Sequence, residues 1–132
     1  GTELRHDDIG KVGLYRVSVR ERRDTVRADS VAQTTAAGWL AADYAFTTDL
    51  RATLGVRVDH LRFDVDADLP DNGGSGNATL GSLRGGLAYR FTDALEGYAS
   101  WGQGHHSNDV RGATIRFDPA SGDPVDRVDP LV

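Results

Sequence analysis

Four residues in one short stretch, GHHSNDVRG, have side chains suited to gripping a ligand: His105, His106, Asp109 and Arg111. Imidazole and carboxylate groups bind metal ions, and a guanidinium binds anions. Neighbouring residues on a strand point to opposite faces, so the two histidines can meet one ion only if the strand has already ended. That places the four on a loop, as a ligand-facing loop or simply a solvated one. Ser107, His106 and Asp109 have the residue types of a hydrolase triad, but no nucleophile elbow surrounds the serine. The run DVDADLPDNGGS starts like a calcium loop with Asp64, Asp66 and Asp68. It then has Leu69 where that loop needs glycine and Ser75 where it needs glutamate. GQGHHS lacks the third glycine of a dinucleotide fingerprint, and Asn77–Thr79 is a glycosylation sequon in form only. No catalytic residue, cofactor or metal site is therefore assigned.

The elements that would carry this loop must come from an ordinary composition: 132 residues, 39% hydrophobic, 27% charged, 16 glycines and no cysteine. This suits one small domain and excludes disulfide frameworks and thiolate metal sites. A net charge of −5, with arginine and aspartate intermixed and no basic stripe, argues against a nucleic-acid partner. The N-terminus GTELRHDDIG is too charged for a signal peptide, and the longest small-apolar run, Ala36 to Ala42, is far short of a membrane helix. A β-barrel is the one membrane architecture left, because its strands need only alternate.

Alternation is what the chain shows. In LRATLGVRVDHLRFDVDAD the apolar positions are Leu50, Ala52, Leu54, Val56 and Val58, followed by a switch of parity to Leu61, Phe63 and Val65. A strand of this length reaches roughly 55 Å at about 3.3 Å per residue. Two explanations fit the switch: a strand that projects beyond a bilayer, so that lipid no longer sets the apolar face, or a β-bulge near Asp59-His60. The pattern Tyr-x-Phe-Thr-x-x-Leu occurs twice, at Tyr44/Phe46/Thr47/Leu50 and Tyr89/Phe91/Thr92/Leu95. Each copy joins two alternating runs through a tight hairpin turn, Thr47 to Asp49 or Thr92 to Ala94.

The opposite strand ends carry long polar connections: Arg16 to Ser30, Asp66 to Thr79, and the residues after Trp101, which contain few apolar runs. The expected strands run up at Thr2 to Asp8, down at about Val31 to Phe46, up at Leu50 to Val65, down at Leu80 to Phe91 and up at Leu95 to about His105. This is an all-β antiparallel meander of long strands. Leu54, Val56, Leu87 and Tyr89 are expected on one face, and Arg57, Arg84 and Arg90 on the other. The apolar segments Leu50–Val58 and Leu83–Phe91 match the 9 to 11 residues that cross a bilayer at a tilt. Tyr44, Phe46, Tyr89 and Phe91 would form an interfacial girdle beside short periplasmic turns. Alternation also describes a soluble, secreted β-sandwich that binds glycan or protein.

Gly55, Arg57 and Asp59, then Tyr98, Gly102 and Gly104, give Gly-x-Arg-x-Asp followed by Tyr-x-x-x-Gly-x-Gly. Over about Val31 to Asp109 the chain resembles the β-barrel of TonB-dependent outer-membrane receptors. The resemblance implies an open fragment of a transmembrane β-barrel, with residues 1–132 supplying five or six strands. It contains no TonB box, plug domain or aromatic closing strand. The implied function is energised uptake of a scarce nutrient, such as a ferric siderophore, across the outer membrane of a Gram-negative bacterium. The implied partners are outer-membrane lipid, the plug and remaining barrel of the parent chain, the inner-membrane TonB complex and a small-molecule ligand. No enzymatic activity or cofactor is implied.

Overall fold

The computed structural model describes all residues, Gly1–Val132, and forms one five-stranded antiparallel sheet in the order β1-β2-β3-β4-β5. The strands are β1 Thr2–Ser18, β2 Glu21–Ala45, β3 Leu50–Asp66, β4 Gly74–Thr92 and β5 Leu95–Gly102. After β5 the chain turns back over the sheet and forms one five-residue helix, α1 Val110–Thr114. No helix is long and apolar enough to cross a membrane.

The tight turns lie where the repeated motif puts them. Residues 46–49 link β2 to β3, and Thr47 Oγ1 accepts from the Asp49 and Leu50 backbone N–H groups at 3.1 and 3.0 Å. Thr92 still belongs to β4 and pairs with Leu95 across Asp93-Ala94. A threonine at the start of each turn satisfies N–H groups that a two-strand junction leaves free.

Register fixes the faces. Leu40 pairs with Val56 and Val56 with Leu83, and the next row down is Ala42, Leu54, Gly85 and Trp101. Leu54, Val56, Leu87 and Tyr89 therefore share the outward face, and Arg57, Arg84 and Arg90 the inward one, as the alternation predicts. The outward face has no protein partner, since Leu54 remains 70% exposed. Tyr44 packs edge-on to Phe46, and Tyr89 to Phe91, with ring centroids 4.9 Å apart in both pairs. These aromatics border the apolar band at the tight-turn end. Leu54 lies midway along Leu50–Val58, so Leu54→Arg is expected to cost about 2–4 kcal/mol in lipid. Arginine at inward-facing, exposed Ser100, in the row next to that of Leu54, should cost close to nothing. Urea titration of chains folded into phospholipid vesicles measures both.

Four expectations are corrected. Strands β2, β3 and β4 pair from Ser30 through Val65 without a register shift, so no bulge exists at Asp59-His60. The parity switch is a change of solvent on a straight strand. Above Val58 the inward face becomes the dry one, where Leu61, Phe63 and Val65 are buried with Val31 beneath Val110 of α1, flanked by Ala113 and Leu131. The loop expected at Asp66 to Thr79 shrinks to 67–73, because pairing with β3 draws Gly74–Thr79 into β4 and holds Asp64 and Asp66 in β3. The calcium-loop start is thereby dispersed along a strand. The last up-strand ends at Gly102 rather than near His105.

The fourth correction is the largest. Instead of ending at Asp8, β1 continues to Ser18, and the charged stretch expected as a loop becomes the start of β2. Three register shifts interrupt this extension. Its two-residue turn is Val19-Arg20, with φ of 50° and 66°. Turns with positive φ at both positions suit Asn-Gly, and for other L-residues each such position costs about 1–2 kcal/mol. The double variant Val19→Asn/Arg20→Gly should therefore steady the hairpin by up to about 2–4 kcal/mol. Amide hydrogen exchange across residues 12–27 should slow accordingly; unchanged rates would show that the tip carries no strain.

Candidate functional site

On the inward face, four separate parts of the chain meet at one ion pair, Arg57 with Asp59. Arg57 Nε lies 2.8 Å from Asp59 Oδ2 and Nη2 lies 2.7 Å from Asp59 Oδ1, a two-toothed, charge-assisted grip. The same Nη2 donates to Glu3 Oε2 of β1 at 3.1 Å, and the guanidinium lies 5.2 Å from the ring centre of Trp39 on β2. From beyond β5, His105 Nε2 approaches Asp59 Oδ2 at 3.3 Å. Asp59 is buried, which is tolerable because Arg57 neutralises it. Strand alternation creates this cluster: Arg57 and Asp59 are two apart on β3, and register sets Trp39 beside Arg57 and Ala37 beside Asp59. A cleft of about 430 Å³ opens beside it, lined by Trp39, Arg57, Arg84, Gln103 and His105 among others.

The four residues of the expected ligand loop do not converge. His105 turns to the inner wall and Asp59. His106 is held through its backbone, N–H to Val132 O at 2.9 Å and O from Val132 N–H at 3.2 Å, and its side chain is exposed. Asp109 caps α1 by accepting the Arg111 N–H at 3.0 Å, and the Arg111 side chain returns to the same carboxylate at 2.5 Å. That hydrogen-bonded arginine holds the Asp109 carboxyl below the usual carboxylate range, and Asp109 in turn raises Arg111. Their charges are spent on each other. Ser107 pairs with Leu131 as an isolated bridge, so with Asp109 occupied no triad forms. No group of three or more His, Asp or Glu side chains is placed to hold a metal ion.

Asn72 had no functional signal in the sequence. It sits in a 3-10 turn between β3 and β4 and is fully buried. Its Oδ1 accepts from the Arg116 and Phe117 N–H groups at 2.8 and 2.9 Å, and its Nδ2 donates to Phe117 O at 2.7 Å. One amide thereby ties the segment after β5 to the β3–β4 loop. Pro-Asp-Asn reads as a surface turn, and nothing local in the sequence indicates a partner 44 residues away.

A single meandering sheet with an unpartnered apolar face, aromatic pairs at its tight-turn border and a charged, ion-paired inner face is the wall of a transmembrane β-barrel. Residues 3–125 match the family described as TonB dependent receptor-like, beta-barrel. The chain belongs to that family, whose members are receptors and transporters of the Gram-negative outer membrane. No curated protein matches the chain.

Proposed function

We propose that residues 1–132 form part of the barrel wall of an outer-membrane receptor for energised uptake of a scarce nutrient, such as a ferric siderophore. The supporting observation is the two-sidedness of one sheet: Leu54, Val56, Leu83 and Leu87 are exposed outward, while Arg57, Asp59, Glu3 and His105 are tied together inward. Lipid covers the first face. The second lines a polar interior that holds the plug of the parent chain, and the inner-membrane TonB complex supplies energy from the periplasmic side. The segment with His105, His106, Asp109 and Arg111 lies at the end opposite the tight turns, on the path of an arriving small-molecule ligand. Growth of a deletion strain on a panel of iron chelates and other scarce nutrients tests the reading. Loss of growth on one nutrient, restored by the intact gene, is expected. Growth equal to the parent strain on every nutrient would overturn it.

A further inference from the structure

A second cleft, of about 370 Å³, lies on the extracellular side between β4 and the segment after β5. Its floor is bare backbone at Gly74 and Gly76 with the ring of Phe63; a Cβ on Gly76 would stand 2.6 Å from Phe63 Cζ. Its walls carry two arginines, Arg116 and Arg127, and one acid, Asp129. Arg57 is engaged by Asp59 and Glu3, Arg51 by Glu96, Arg27 by Asp29 and Arg111 by Asp109, whereas Arg84 and Arg90, lower on the inward face, form no ion pair and do not line this cleft. Arg116 and Arg127 form no ion pair, and neither does Asp129.

Their backbones are held in place. Arg116 O accepts from Val125 N–H at 3.0 Å while its own N–H donates to Asn72, and Val128, next to Arg127, donates to Gly112 O at 3.1 Å. Both side chains are exposed and line one hollow, where an anion relieves the repulsion between like charges, and a guanidinium fork fits two oxygens of one acid group. We propose that this cleft is an anion subsite for a small solute carrying two or more negatively charged oxygens. The inference rests on the receptor reading only for how such a solute reaches the site.

The test is calorimetric titration of the receptor chain, as extracted from outer membranes in non-ionic detergent, with citrate trianion and with its uncharged triethyl ester. Citrate should bind and the ester should not. Arg116→Gln/Arg127→Gln should weaken citrate at least about tenfold, since each guanidinium supplies charge-assisted hydrogen bonds to a carboxylate. Arg62→Gln, an exposed arginine of the outward face, should leave binding unchanged. If the glutamine pair fails to fold, Arg116→Lys/Arg127→Lys keeps the charge without the fork and should bind citrate more weakly than the wild type. No citrate binding, equal binding of the ester, or wild-type affinity in whichever double arginine variant folds would each overturn the subsite. A nutrient-specific growth defect without citrate binding sinks the subsite alone; citrate binding without any growth defect sinks the receptor reading alone.

Discussion

In buffer without detergent or lipid, the chain is expected to elute as aggregate, and with a mild detergent above its micelle concentration as a single species. The outward face accounts for this. Leu54, Leu83, Leu87, Phe91 and Trp101 are all at least half exposed and lie on adjoining strands with nothing over them. Roughly 300 Å² of such surface favours association by about 7 kcal/mol before the cost of lost motional freedom. The outer edges of β1 and β5 add unpaired N–H and C=O groups that can seed strand pairing between copies. Size-exclusion chromatography with and without detergent, followed by denaturant titration, decides the matter. A sharp monomer peak in plain buffer with one cooperative transition would mean that the apolar face packs on protein, as in a soluble sandwich.

Phe63→Ala is expected to loosen the segment after β5 while leaving the sheet paired. Phe63 is nearly buried in the small core shared with Val31, Leu61, Val65 and Val110, and truncating a buried phenylalanine costs about 3–5 kcal/mol. The loss falls mainly on one side of that contact. Strand β3 keeps its backbone ladders to β2 and β4 whatever side chain stands at 63, whereas α1 has only a short helix, the Asn72 clamp and a few bridges to hold it. Limited proteolysis in detergent should therefore cut within residues 103–132 much faster in the variant, with the β2–β4 region still protected. Equal cutting rates would show that the segment is anchored elsewhere.

The meander was legible because each tight turn sits between aromatics in a repeated motif, and because period-two alternation survives in β3 and the lower half of β4. The first hairpin was hidden for a physical reason. Val19-Arg20 lacks the glycine or asparagine that marks a positive-φ turn, so the charged residues around it look like loop. Gly74–Thr79 misled in the opposite way: glycine, serine and asparagine suggest a loop, yet β3 imposes a ladder on them. At the site, alternation puts Arg57 and Asp59, two apart on β3, on one face, but nothing in the sequence marks them as an ion pair. Their partners Glu3 and His105 come from the two ends of the chain and are joined by tertiary register, which local sequence does not encode. His105, His106, Asp109 and Arg111 are adjacent in sequence, but β5 ends before them, so His105 and Asp109 turn to different partners.

Strand β3 runs straight through two kinds of surroundings, and the two should tolerate substitution differently. Below Val58 its apolar side chains face lipid, a fluid that takes the shape of whatever it meets, so Leu54 or Val56 can become Ile, Phe or Met with little penalty. Above it, Leu61 and Val65 face Val110, Ala113 and Leu131, a solid surface with a fixed outline, where an added methylene forces neighbours aside at roughly 1–3 kcal/mol. One strand thus carries two grades of constraint. In a mutational scan, the lower half should select only for greasiness and the upper half for shape as well, with the boundary at Asp59.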